Sequence, residues 1–164
     1  MALPRPLPPA ARVRELLDYD PNTGRFTWRA GPKSGTTAGS IGGRYVQIMI
    51  GKKNYLAHRL AWLYARGSPP SDEIDHVNGN PRDNRIDNLR LASKSQNAQN
   101  QRRSTKNSSG FKGVSWSKQK QRWRAVIKVG SRSVHLGYFR DVAAAAEAYR
   151  AAADKYFGDF ARAA

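Results

Sequence analysis

The chain has 164 residues with 29 Lys and Arg against 12 Asp and Glu, a formal net charge of +17, and no cysteine. That length suits one ordinary domain or two small ones, and the lack of cysteine excludes disulfides and thiolate zinc sites. The positive excess favours a polyanionic partner, nucleic acid ahead of an anionic membrane patch or a merely soluble basic surface.

Residues 1–10 are proline-rich and without an apolar run, so they read as a mobile start and not as a signal peptide. No stretch approaches the eighteen apolar residues of a membrane span, and the expected compartment is the cytoplasm. A short helix is expected over 11–17, then a turn through DYDPNTG, then a strand over Arg25–Arg29 with Phe26 and Trp28 on one face. The segment GPKSGTTAGSIGG reads as a flexible connection. From Arg44 to Ile50 the alternation sets Val46, Ile48 and Ile50 opposite Tyr45, and a hairpin turn at 51–54 begins the return. His58–Arg66 shows helical spacing through Leu60, Leu63 and Tyr64, and Gly67, Pro69 and Pro70 stop it. Glu73–Val77 and Leu89–Ala92 predict a hairpin with a long polar tip. Ser93 then serves as N-cap of a helix carrying Gln96, Asn97, Asn100 and Gln101.

After the linker RSTKNSS, three strands are predicted at 111–117, 122–129 and 132–138. In the second, Trp123, Ala125, Ile127 and Val129 share one face, and Arg122, Arg124 and Lys128 the other. An alanine-rich helix over 141–156 would cover the sheet with Val142, Ala145, Ala146, Tyr149, Ala153 and Tyr156. His135 is expected as a buried polar partner. Residues 101–140 hold eleven Lys and Arg and no acid, which marks them as a contact surface.

Asp75 and His76 are neighbours on a strand, so their side chains leave on opposite faces. This is awkward for two ligands of one ion. It suits a division in which the carboxylate binds a hard cation and the neutral imidazole takes a proton from water. Phosphodiester hydrolysis needs both roles. The loop residues Asn78, Asn80, Asn84 and Arg85 read as satisfying its turns, while Arg82 and Arg85 are also candidates for phosphate contact. Arg25, Arg29, Lys52 and Lys53 read equally as DNA contacts and as solvated charges.

The segments AHRLAWLYARG, EIDHVNGNPRDNRIDNLRLAS and SQNAQNQR, spanning about Tyr55 to Arg102, resemble the HNH endonucleases of the ββα-metal class, especially phage homing enzymes. The resemblance implies His76 as general base, Asp75 as first metal ligand and Asn88 as the asparagine of the catalytic set, whose side chain bonds across the loop and helps orient the histidine. It implies Asn97 on the helix as second metal ligand, with Asn100 one turn on as the alternative. Many members carry histidine at that helix position; asparagine here implies oxygen ligation and one Mg²⁺ per active site, with Mn²⁺ possible. His58 in HRLAW would support the site by packing or hydrogen bonding, or reach a phosphate.

The segment SGFKGVSWSKQKQRWRAVIKVGSRSVHLGYFRDVAAAAEAYRAAADKYFGDFA resembles the AP2/ERF DNA-binding domain, in its RWRAVI strand, its HLGYF strand and the helix ending in YFG. That resemblance implies a sheet that enters the major groove, with Lys112, Trp116, Lys118, Arg122, Arg124 and Arg132 as DNA-binding candidates. The acid-free block implies strong backbone contact and few base contacts.

The expectation is an α+β chain: a flexible start at 1–10, an HNH nuclease domain over 11–102, a linker at 103–109 and a DNA-binding domain over 110–164. The expected activity is metal-dependent cleavage of double-stranded DNA by a monomer, without a small-molecule cofactor or a membrane partner. The competing readings are a DNA-binding regulator on a nuclease-like scaffold and an RNA-processing nuclease.

Overall fold

The computed structural model describes residues 6–99 and 107–161. The fold is α+β, and the chain divides into two compact units, Met1–Ser93 and Lys94–Ala164.

The first unit opens with helix α1 (Ala10–Leu16), strand β1 (Leu17–Asp20) and strand β2 (Arg25–Trp28), which pairs antiparallel with β1. The sequence suggested a turn from Asp18 on. Instead Leu17 and Tyr19 alternate inward as a strand, and the turn is confined to four residues. Asp20 closes that turn by accepting from Asn22 N at 2.9 Å and from Thr23 Oγ1 at 2.7 Å. The glycine-rich connection also holds two short strands, β3 (Thr37–Ala38) and β4 (Ser40–Gly42). Buried Ala38 pairs with Phe26, and that burial orders a stretch whose glycines carry no pattern of their own.

Strands β5 (Tyr45–Ile50) and β6 (Lys53–Leu56) complete a second sheet in the order β4-β5-β6. Helix α2 (Ala57–Arg66) follows at once and ends at Gly67, whose left-handed backbone lets its N–H reach Leu63 O at 2.9 Å. Val13, Leu17, Phe26, Ile48 and Leu60 are the large, fully buried side chains of this core. Strands β7 (Glu73–His76) and β8 (Leu89–Ala92) form the long-tipped hairpin, in the register Asp75↔Arg90 and His76↔Leu89. With helix α3 (Lys94–Gln99) they give a ββα succession along the chain.

Besides α3, the second unit contains strands β9 (Val114–Ser117), β10 (Arg122–Val129) and β11 (Arg132–Phe139), in the order β11-β10-β9, and helix α4 (Val142–Phe157). Asp141 caps α4 by accepting from Ala144 N at 3.0 Å. Ala145, Ala146, Tyr149, Ala152 and Ala153 bury against Val114, Ala125 and Ile127. Tyr156, expected in this stripe, is 44% exposed with Lys155 over its ring; Phe157 packs on the core in the last turn.

His135 is exposed and not buried, with its ring 4.7 Å from that of Tyr138. The cause is a bulge. Phe139 and Gly137 face Trp123 and Ala125, but the register then shifts, so His135 meets Val126 and Val134 meets Ile127. One extra residue inverts the alternation and turns His135 away from α4.

Candidate active site and nucleic-acid surface

At the end of β7, Asp75 is 5% and His76 6% exposed. The antiparallel register sets Arg90 directly across from Asp75; its Nε donates to Asp75 Oδ2 at 2.9 Å, and a terminal guanidinium nitrogen lies 2.8 Å from the same oxygen as an ion pair. This charge-assisted pair fixes a carboxylate that burial would otherwise penalise.

His76 lies among three side chains from elsewhere in the unit. Its Nε2 is 3.4 Å from Asn84 Oδ1. The His58 ring, from the first turn of α2, meets it edge-on with centroids 5.1 Å apart. Tyr45, at the start of β5, lies 5.2 Å from the His58 ring and 6.3 Å from that of His76. Burial lowers the pKa of His76; the Asn84 hydrogen bond and the charges of Asp75 and Asp83 oppose this, and Arg44 adds to the lowering. His58 falls to about 3, first through burial and then through the charges of His76 and Arg59. Among the described residues its buried Nδ1 has no hydrogen-bond partner.

The loop between β7 and β8 is braced by its own side chains. Asn88 accepts from Asn78 N at 2.9 Å through Oδ1 and donates to Asp83 O at 2.8 Å through Nδ2, spanning the loop. Asn78 also donates to Asp83 Oδ2 at 2.7 Å. Arg85 engages both Asp83 oxygens, which holds that carboxyl down to about 2. Arg82 is exposed at the loop surface.

Asn97 is half-buried on α3, in the second compact unit, and Asn100 lies outside the described residues. Among the described residues no group of three or more His, Cys, Asp or Glu forms that could hold a metal ion. The oxygen donors Asp75 and Asn97 do match, in type, what a hard divalent cation takes.

Arg90 and Asn84 are absent from the site residues that the sequence suggests. Arg90 was legible only through the strand register, and Asn84 sits among loop asparagines that all look alike.

Of the six DNA-binding candidates of the second unit, four lie on strands and divide between the two sheet faces. Arg122 pairs with Ser117, and Arg124 with Ser115 and Tyr138, on the face away from α4. Lys128 and His135 share that face through their partners Ser133 and Val126. Trp116 instead pairs with Trp123 on the α4 side, 47% exposed, with ring centroids 5.1 Å apart. Arg132 pairs with the inward Val129, Lys118 is exposed in the β9–β10 turn, and Lys112 is half-buried.

No helix of the described residues is long and apolar enough to cross a membrane. No solved structure matches the chain. Protein 3.8 of Escherichia phage T7 is 42% identical over 71 residues, which cover 43% of this chain and 59% of that protein. The chain therefore spans about three fifths of that relative. Residues 55–99 match the family described as HNH endonuclease, and the match takes in α2, the β7–β8 hairpin and α3. The Asp75–His76 hairpin accordingly lies in an HNH-type endonuclease domain.

Proposed function

We propose that this chain is a divalent-metal-dependent endonuclease, of homing type, that hydrolyses phosphodiester bonds of duplex DNA with site preference. The observation that carries the reading is the buried, adjacent Asp75–His76 pair within the segment similar to HNH endonucleases.

His76 is the general base. Its lowered pKa keeps the imidazole neutral at neutral pH, the form that accepts a proton from an attacking water. Asp75 and Asn97 would hold one Mg²⁺, or Mn²⁺ in its place, and the assignment of Asn97 rests on its position in the family pattern. Such an ion, when bound, offsets charge on the phosphate and on the leaving 3′ oxygen. Arg90 orients the Asp75 carboxylate, Asn88 braces the loop that follows His76, and His58 packs beside the base. Asn100 is the alternative ligand. Arg82 and Arg85 contact DNA phosphates.

The nuclease domain extends over 11–102, with 103–109 as linker. Residues 110–164 form an AP2/ERF-like anchor. Its support is the sequence resemblance and the order of three strands followed by one helix. Lys112, Trp116, Lys118, Arg122, Arg124 and Arg132 contact the duplex, and tethering raises the concentration of the nuclease near DNA. With one active site per chain, a monomer nicks a strand, in the cytoplasm of a bacterial host or a phage-infected cell.

Incubation with plasmid and genomic phage DNA, in Mg²⁺ or in EDTA, tests this. Cleavage in Mg²⁺ and none in EDTA is expected. His76→Ala should lower the single-turnover rate by roughly 10²-fold or more and leave gel-shift affinity nearly unchanged. Binding without cleavage by the unaltered chain would instead favour the regulator reading.

A further inference from the structure

Asn84 is 3% exposed, deeper than its place in a polar surface loop requires. Its backbone and side chain are both held, by different partners. On the backbone side, the β1–β2 hairpin grips the loop at three points. The Tyr19 hydroxyl donates to Asn84 O at 2.7 Å, 65 residues away in the chain. Ile86 N donates to Pro21 O at 3.3 Å. Gly24, at φ +70°, sits so close that a Cβ there would fall 2.4 Å from Arg85 N and 2.5 Å from Asn84 C. The hairpin is itself anchored in the core, since the Tyr19 ring packs on Phe26 and on Tyr64 of α2, at 4.7 and 5.7 Å. Burial, with the charges of Asp20, Asp87 and Asp83, pushes the Tyr19 hydroxyl up to about 12, so it remains a donor.

On the side-chain side, the amide orientation is set by its neighbours. Asn84 Nδ2 faces Arg82 O at 3.4 Å. A flipped amide would set two acceptor oxygens against each other, so Oδ1 is the atom that faces His76 Nε2. An acceptor at that place favours the tautomer that carries its proton on Nε2 and its lone pair on Nδ1.

We propose that Asn84 is a positioning residue for His76, selecting the imidazole tautomer with the proton on Nε2, and that the β1–β2 hairpin sets Asn84 in place through Tyr19, Pro21 and Gly24. This deepens the nuclease reading, for it names the atom, Nδ1, from which His76 acts as a base. It also gives residues 17–28 a function: they brace the loop from which the base is aimed.

The test uses the metal-free full chain, ¹⁵N-labelled at histidine, at a pH where the imidazole is neutral. Nitrogen chemical shifts read the tautomer directly, with no DNA present. The unaltered chain should show His76 protonated on Nε2. Asn84→Ala should shift His76 toward a mixture, and Asn84→Asp, which keeps an acceptor, should restore the original tautomer. Tyr19→Phe removes one oxygen and should move the shifts in the same direction as Asn84→Ala, less far. In single-turnover cleavage Asn84→Ala should lose about tenfold in rate, the worth of one hydrogen bond, while DNA affinity holds. An unaltered chain with its proton on Nδ1 overturns the proposal, as does an Asn84→Ala chain with unchanged shifts. If Asn84→Ala does not fold, the unaltered chain and Tyr19→Phe decide. Unmoved shifts in Tyr19→Phe remove the hairpin from the proposal. Absence of cleavage by the unaltered chain counts against the nuclease reading alone, because the tautomer is read without the reaction.

Discussion

His58 lies in the first turn of α2, edge-on to His76, and burial drops its pKa from 6.5 to about 3. Between those values the unfolded chain binds a proton that the folded chain refuses, so acid favours unfolding. The stability is fully present above pH 6.5 and is lost as pH falls toward 3, at a slope of about 1.4 kcal/mol per pH unit for one proton. His76, also lowered, acts with the same sign. Asp83, held down to about 2, stabilises fully above its ordinary value of 3.8 and loses that stabilisation only as pH falls from there through 2, so it does not differ between pH 7 and pH 5. Urea titrations at pH 7 and pH 5 should therefore show a clear loss of stability at pH 5. His58→Gln should flatten that dependence, and an unchanged slope in the variant would remove His58 as its source. At this scale the sequence marked His76, Asp75, Asn88 and His58 from their motif positions. It did not mark Arg90 or Asn84, whose importance comes from what folding sets beside them.

Among the elements, the β9–β10–β11 sheet and α4 were legible as three alternating segments followed by an alanine-rich helix, because periods of two and 3.6 are written in local order. The bulge in β11 was not legible, and it alone turned His135 outward. Gly113 shows how tightly sheet and helix close. Its φ is +70°, and a Cβ would lie 2.1 Å from the Tyr149 ring and 2.6 Å from Val126 O. Gly113→Ala should destabilise by about 2–4 kcal/mol, combining left-handed strain with overpacking. Gly110→Ala, at φ +83° with nothing within 4 Å, should cost only about 1 kcal/mol. Thermal melts of the two variants test this, and equal losses would show that packing against Tyr149 adds nothing.

For the whole molecule, charge is the dominant fact: +17 overall, with eleven basic residues and no acid between 101 and 140. On the reading of the second unit as a DNA anchor, Arg122 and Arg124 on the sheet face away from α4 are the side chains placed to meet phosphates. Each phosphate neutralised contributes roughly −0.9 to the slope of log K against log salt on B-DNA. The double variant Arg122→Ala with Arg124→Ala should flatten that slope by roughly 1.8 and leave the melting curve nearly unchanged. Titration of labelled duplex at several salt concentrations measures it, and an unaltered slope would take both arginines out of the interface. The division proposed for function, a nuclease domain over 11–102 and an anchor over 110–164 joined at 103–109, stands beside a division of the fold into compact units Met1–Ser93 and Lys94–Ala164, and residues 100–106 lie outside the described residues.

The sequence by itself determined the charge block, the Asp75–His76 pair, the stops at Gly67 and the two alternating sheet faces of β10, because each depends on residues near one another in the chain. Only the tertiary structure decided that Arg90 clasps Asp75, that Asn84 faces His76 and that the β1–β2 hairpin reaches across to hold it. Those contacts join residues 8 to 65 positions apart. Register and loop placement follow from which long-range packing buries most apolar surface and leaves fewest polar groups unpaired, and no local pattern carries that information.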